Sequence, residues 1–251
     1  MALTNSPHPG SWSESPSQIA FPVEHIDIWK VCLDQPEPHG SPTCILSPDE
    51  SSRASRFHFE KDRVHFVRCR SALRNLLARC LGIPAAEIHF EYGSRGKPQL
   101  IADQNPRGLQ FNVSHSGTTA LIAIGSKSQL GVDIEKIRDD IDHAALAERF
   151  FSKRERATLE ALPKSLHLSG FFACWTRKES FLKARGDGLS FALTDFSVTT
   201  HPALDPSIEE ISGNTEVGRQ WFLADLRVAD GYRASLCADV PLSDLRTHVY
   251  S

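Results

Sequence analysis

Apolar and polar positions along the chain fall into two periods, one of strands and one of helices. From Val23 to Leu33, β-branched, aromatic and aliphatic residues interleave with charge, which predicts a strand, read as an edge strand. Ser47-Pro48-Asp49-Glu50 combines an N-cap Ser, a Pro at the first helical position and a Glu three residues after the cap, so a short helix starts there. A longer helix is predicted from about Glu60 to Leu81, stopped by Gly82 and Pro84. Phe66, Leu73 and Leu77 belong to its buried stripe, which Arg70 interrupts. Residues 86 to 125 alternate and turn like sheet, through Ile88 to Tyr92, Leu109 to Val113 and Ala120 to Ile124. Gly131 to Glu135 forms a further short strand. Helices are expected at about 142 to 150, 153 to 162 and 168 to 185, and strands at 192 to 199, 219 to 227 and 232 to 239. The Pro- and Gly-bearing stretch from His201 to Gly218 reads as a surface loop.

Each half thus offers helices plus strands, which predicts an α+β fold of two comparable lobes. One spans 21–127 and the other 128–251, joined near residues 125 to 131. Residues 1–20, rich in Ser, Pro and Gly, hold too little apolar surface to offset the entropy of ordering them and are expected to form a disordered tail.

Composition narrows the function classes. Of 251 residues, 40% are hydrophobic and 24% charged, an ordinary globular balance. Lys and Arg number 28 against 31 Asp and Glu, a net charge of −3, so no sequence-independent nucleic-acid or membrane-surface binder is expected. No apolar run approaches the roughly 18 residues that cross a bilayer, and no secretory leader is visible, so the expected compartment is the cytoplasm. The six cysteines show no metal-site spacing and are read as reduced thiols.

The chemistry gathers in a few places. Asp133 and Glu135 lie two apart in a strand, so both carboxylates leave one face while Val132 and Ile134 enter the core on the other. Paired hard oxygens of this kind suit Mg²⁺, although a solvated strand face is the alternative. In the helix around Trp175, the positions Leu168, Phe172, Trp175, Glu179 and Leu182 follow helical spacing, so Glu179 occupies a slot on the apolar stripe. An intrahelical pair with Lys183, worth a few tenths of a kcal/mol, would not recover the several kcal/mol that burying a charge costs. We therefore expect Glu179 to join Asp133 and Glu135 around a metal, with Lys183 aimed at an anion on that metal. Ser94-Arg95-Gly96-Lys97-Pro98 puts a Lys in a Gly/Pro turn, a phosphate holder or a solvated turn, and Phe111-Asn112-Val113-Ser114-His115-Ser116-Gly117 ends a strand in polar groups that either hold a phosphate or bond the local backbone. No P-loop, dinucleotide fingerprint or nucleophile elbow is present.

Taken in order, these motifs resemble the 4′-phosphopantetheinyl transferases, specifically the two-lobed Sfp-type enzymes. The resemblance runs from about Ser47 to the C-terminus. It rests on Arg-Gly-Lys-Pro at 95–98, Phe-Asn-Val-Ser-His-Ser at 111–116, Gly-Val-Asp-Ile-Glu at 131–135, Arg-Phe-Phe-Ser-Lys-Arg-Glu at 149–155, and Trp-Thr-Arg-Lys-Glu-Ser-Phe-Leu-Lys at 175–183 with Gly-Asp-Gly-Leu-Ser beyond it.

The resemblance implies a monomer of two similar lobes related by a pseudo-two-fold axis, each a small, mainly antiparallel sheet with packed helices, and coenzyme A and Mg²⁺ at their junction. It makes Asp133, Glu135 and Glu179 the metal-binding acids, and Asp133, Glu179 and Lys183 the catalytic set. It assigns Arg53, Lys97, Ser114, His115 and Lys183 to the phosphates of coenzyme A. Glu50 stands where some members carry Lys. The acceptor of the serine proton is Glu179, Glu155 or metal-bound water; Glu155 matches an acid discussed as a proton acceptor, but it also completes a capping box with Ser152, and Arg70 either serves the ligand or anchors its helix. The implied reaction moves phosphopantetheine to a serine of an apo acyl or peptidyl carrier protein and releases adenosine 3′,5′-bisphosphate. Arg149, Lys153, Arg154 and Arg156 are a candidate basic rim for an acidic carrier. Rival readings are another Mg²⁺-dependent phosphotransferase or phosphohydrolase on a small nucleotide, and a non-catalytic coenzyme-A-binding protein.

Overall fold

A computed structural model describes residues 12–16, 18–35, 42–93, 96–186 and 191–251. Ser94, Arg95 and the Asp-Gly-Leu-Ser segment at 187–190, parts of two motifs above, lie outside the described residues, as do 1–11 and 17.

The first half contains strand β1 (Ile26–Cys32), helix α1 (Pro48–Ser55), helix α2 (Glu60–Leu81), a small hairpin β2 (Phe90–Tyr92) and β3 (Pro98–Leu100), and strands β4 (Leu109–Ser116) and β5 (Thr119–Ser126). Both helix boundaries follow local chemistry. Ser47 and Glu50 form a reciprocal capping box at the start of α1, and Gly82 takes a left-handed φ of 72° at the end of α2.

The second half has β6 (Leu130–Lys136), α3 (His143–Phe150), α4 (Lys153–Ala161), α5 (Lys164–Arg185), β7 (Phe196–Val198), β8 (Ile208–Ile211), a single turn α6 (Thr215–Gly218), β9 (Phe222–Asp225), β10 (Tyr232–Ala238) and β11 (Leu245–Val249). Helix α5 begins four residues before the expected 168, because Pro163 starts this helix as well as stopping the one before it.

Two sheets carry the fold. One has the order β11-β1-β5-β4 and the other β6-β10-β9. All pairings are antiparallel except β1 with β11. That exception corrects one expectation: the last strand, β11, returns from the far end of the chain to pair with β1, so β1 sits inside the sheet rather than at its edge. The pairing satisfies the outer backbone groups of β1, whose Ile28, Trp29 and Val31 are fully buried.

Two further differences concern segments read as irregular. Ser13 bridges to β11 through Ser13 N to Thr247 O at 3.0 Å and Val249 N to Ser13 O at 2.8 Å, so the expected disorder of 1–20 fails over Trp12–Pro16. The stretch 201–218 is not all loop, because Ile208 and Ile211 bury their side chains and pair as β8 with β7.

Three apolar clusters hold these layers. Trp29, Leu73, Leu77, Phe111 and Ile122 fill the space between α2 and the first sheet. Phe171, Phe172, Phe181 and Phe196 surround α5. Between the sheets, Ile28, Leu121 and Ala123 meet Val132, Ile134 and Leu236. The middle cluster therefore buries the apolar face of β6 against the N-terminal lobe, as the alternation in Gly-Val-Asp-Ile-Glu requires, and turns Asp133 and Glu135 the other way.

Candidate active site at the lobe junction

Strands β4 and β6 are the edges at which the two sheets meet, and side chains rather than a backbone ladder join them. Val132 N donates to Asn112 Oδ1 at 3.0 Å, Ile134 N to Ser114 Oγ at 3.4 Å and Lys136 N to Ser116 Oγ at 3.0 Å. The alternation of Asn112, Ser114 and Ser116 thus matches the alternation of the edge amides of β6, of which those of Val132 and Ile134 would otherwise be buried without partners. Two of the same side chains also hold the acids. Ser114 Oγ donates to Asp133 Oδ1 at 2.9 Å, and Ser116 Oγ donates to Glu135 Oε2 at 2.9 Å. Ser116 was missed from the sequence, although the polar-every-second-residue pattern was its signal.

Helix α5 closes the other side. Gly131 permits this, since a Cβ there would stand 2.2 Å from Ser180 O and 2.3 Å from Ala184 N. Lys183 Nζ donates to Asp133 Oδ1 at 2.6 Å and to Ser114 Oγ at 2.9 Å. An ammonium has three donors, so one N–H of Lys183 remains for the cleft it lines. The next residues of the motif serve structure: Arg177 ties α5 to Asp225 and to the carbonyls of Thr199, His201 and Leu204, and Lys178 pairs with Glu155.

Asp133, Glu135 and Glu179 form the acidic wall. Burial raises the pKa of each; the Asp133 charge raises that of Glu135 further, and the charges of Asp133 and Glu135 raise that of Glu179. Lys183 opposes the shift in all three. Asp133 Oδ2 is buried without a hydrogen bond, and no hydrogen bond or ion pair engages the Glu179 carboxylate among the described residues. As placed, no three acid, His or Cys side chains among the described residues are arranged as a finished metal cage, because Lys183 takes one oxygen of Asp133 and Ser116 one of Glu135.

Beside this wall opens a cleft of about 430 Å³. Phe66, Leu73, Phe111 and Leu182 give it apolar walls, and Arg53, Arg70, Lys97, His115 and Lys183 also line it, with Glu179 as the acid among its lining residues. Burial lowers the pKa of His115, and the Lys183 charge lowers it further. Ser114 stands behind the cleft wall, engaged with Asp133 and Lys183. Lys97 Nζ bonds Lys183 O at 2.7 Å and Leu130 O at 3.4 Å, so it ties the turn after β2 to the end of α5 while its stem faces the cleft. Glu50, in the place where some relatives of the motif carry Lys, is wholly buried. It accepts from Ser47 N and Arg74 Nε.

Glu155 lies away from this cleft. Its two oxygens accept from Lys178 Nζ, Ser152 N and Val198 N, and it is buried. The proposed basic rim is only partly free, since Arg154 pairs with Glu209 at 2.7 Å while Arg149 and Lys153 are exposed. No helix among the described residues is long and apolar enough to cross a membrane.

Comparison with known proteins agrees with this arrangement. Residues 129–237 match the family model of the 4′-phosphopantetheinyl transferase superfamily, and residues 36–127 match that of the 4′-phosphopantetheinyl transferase N-terminal region. The chain is 39% identical to the 4′-phosphopantetheinyl transferase HetI of Nostoc sp., over 72% of this chain and 76% of HetI. It is 30% identical to the 4′-phosphopantetheinyl transferase Sfp of Bacillus subtilis, over 86% of this chain and 93% of Sfp. To the human L-aminoadipate-semialdehyde dehydrogenase-phosphopantetheinyl transferase it is 34% identical, over 78% of this chain and 68% of that protein. With two family models meeting at the lobe junction and relatives matched across both lobes, the chain belongs to the 4′-phosphopantetheinyl transferases of the Sfp type.

Proposed function

We propose that this enzyme transfers the 4′-phosphopantetheine arm of coenzyme A to a serine hydroxyl of an apo acyl or peptidyl carrier protein, with Mg²⁺, leaving adenosine 3′,5′-bisphosphate. The observation that carries this reading is the meeting of three mutually repelling carboxylates with a cation-lined cleft across Lys183. In this reading residues 21–127 supply most coenzyme A contacts, residues from 128 onward supply the acids, and the enzyme works as a cytoplasmic monomer.

The residues fit a hard divalent cation. Asp133 Oδ2 lacks a partner, Glu179 is unpaired among the described residues, and burial holds the pKa values of all three acids up, with acid–acid repulsion adding to it at Glu135 and Glu179, a cost that a bound cation would relieve. Asp133, Glu135 and Glu179 would hold it, and bound Mg²⁺ would supply charge neutralisation and orientation for a diphosphate.

The chain's own groups do the rest. Lys183, fixed by Asp133 and Ser114, points its remaining N–H at a phosphate oxygen; a unit charge pair at 4 Å is worth about 4 kcal/mol at an effective dielectric of 20. Such a preorganised cation stabilises charge that grows on the phosphate as the serine oxygen attacks phosphorus and the bisphosphate leaves. His115 and Arg53 hold further phosphate oxygens, while the apolar walls exclude water. Of the two acids weighed as acceptors of the serine proton, Glu179 is unengaged with a raised pKa and Glu155 has both oxygens filled, so Glu179 takes that role.

The test is incubation with coenzyme A, Mg²⁺ and a panel of apo carriers, read by intact mass. A carrier mass gain of one phosphopantetheine arm that disappears with EDTA is the expected result. No mass gain on any acyl or peptidyl carrier would overturn the reading.

A further inference from the structure

Tyr232 lies outside the five motifs, yet it meets the N-terminal lobe beside one of the three acids. On β10 it pairs in register with Lys136 of β6, one residue past Glu135. Its hydroxyl oxygen accepts from Thr118 N at 3.3 Å and stands 3.4 Å from Thr118 Oγ1, in the turn between β4 and β5. Gly117, at a φ of 58°, lets the turn come this close, since a Cβ there would stand 2.7 Å from Tyr232 Oη and 3.0 Å from Lys136 Cδ. The turn is therefore seated directly on the C-terminal lobe.

Ser116 is the residue through which that seat reaches the site. Its hydroxyl accepts from Lys136 N at 3.0 Å and gives its single hydrogen to Glu135 Oε2 at 2.9 Å, because a carboxylate can only accept. Glu135 keeps Oε1, which no hydrogen bond or ion pair engages among the described residues. Asp133 repeats the pattern two residues back along β6, with Oδ1 held by Ser114 and Lys183 and Oδ2 unpartnered. Holding one oxygen of a ligating carboxylate fixes its orientation before a cation arrives. The two serines differ in their own support. Ser114 is buried within β4, whereas Ser116 is the half-buried last residue of that strand, so its place depends on the turn that follows.

We infer that Tyr232 is a positioning residue for the metal site: by pinning the β4–β5 turn it holds Ser116 on Glu135, so that Glu135 offers its other oxygen to a divalent cation in a fixed orientation. The phenol ring packs on the cluster between the sheets, so the role belongs to the hydroxyl alone and Tyr232→Phe isolates it. The inference deepens the proposed function and rests on the cation sitting at Asp133, Glu135 and Glu179.

The experiment is titration of Mn²⁺, a hard paramagnetic stand-in for Mg²⁺, into the full chain without coenzyme A or carrier, with free Mn²⁺ read by electron paramagnetic resonance. Tyr232→Phe, Ser116→Ala, their double variant and Glu135→Ala are compared with the wild type. Groups that orient a metal ligand from behind are worth roughly 10- to 100-fold in metal affinity, so Ser116→Ala should weaken Mn²⁺ by about tenfold or more and Tyr232→Phe, one step further back, by about threefold or more. The double variant should bind no more weakly than Ser116→Ala, since both changes break one chain of contacts. Unchanged Mn²⁺ affinity in Tyr232→Phe, whatever its melting temperature, overturns the inference, and so does a double variant in which the two losses multiply. Mn²⁺ binding lost in Glu135→Ala but kept in Tyr232→Phe removes the role of Tyr232 and leaves the metal assignment standing. Mn²⁺ bound equally by Glu135→Ala and the wild type puts the cation elsewhere and sinks both.

Discussion

Gly131 lies so close to Ser180 that a Cβ on it would stand 2.2 Å from the serine carbonyl oxygen, which lets β6 lie directly on α5. This contact sets the distance at which Asp133, two residues along the strand, meets Lys183, three residues along the helix. Gly131→Ala should destabilise the protein by about 3 kcal/mol or more, since the obstacle is backbone and cannot rotate away. Urea denaturation measures it. A variant with wild-type stability would show that β6 and α5 do not approach this closely.

Glu179→Gln should abolish transfer yet make the metal-free protein more stable, by about 1 kcal/mol at neutral pH, as removal of strained site charges commonly does. The sign follows from its pKa, raised in the fold above the ordinary glutamate range by burial and then by the Asp133 charge. The folded protein holds that proton more tightly than the unfolded chain, so rising pH through this window lowers wild-type stability. The gain of the variant should therefore be small near pH 4.5, grow with pH and then level off. Thermal melts in EDTA across that range check it, and a variant less stable at every pH would contradict the repulsion among the three acids.

Glu155 and Lys178 present the opposite case, a buried pair at 2.7 Å that also accepts from Ser152 N and Val198 N. Glu155→Gln leaves Lys178 charged and uncompensated, with an expected loss of about 3 to 5 kcal/mol. Measured below its melting temperature, the variant should keep kcat within about threefold; a fall of the 10²–10⁴-fold typical of a missing general base would make Glu155 the proton acceptor after all.

Trp12 joins the two halves from outside the motifs. Its indole donates to Arg227 O at 2.6 Å, stacks under Lys30 at 4.9 Å and packs on the cluster between the sheets. Trp12→Ala should cost about 2 kcal/mol in chemical denaturation, with turnover at low temperature little changed. No loss of stability would show that this segment does not brace the junction.

The sequence alone specified what depends on near neighbours. Capping boxes at Ser47 and Ser152, the stop at Gly82 and the opposed faces of Asp133 and Val132 are local rules of hydrogen bonding and periodicity, and each stands in the structure as read. The motif order likewise marked the family before any geometry was known. Tertiary structure alone decided what depends on distant partners. The parallel return of β11 to β1 and the amides of β6 meeting side chains of β4 are pairings between residues far apart in the chain, and no local period encodes them. The same holds for charge: Glu155 and Glu179 read alike in the sequence, as do Lys97 and Lys183, and only the groups packed around them determine which are spent on the fold and which remain for a ligand.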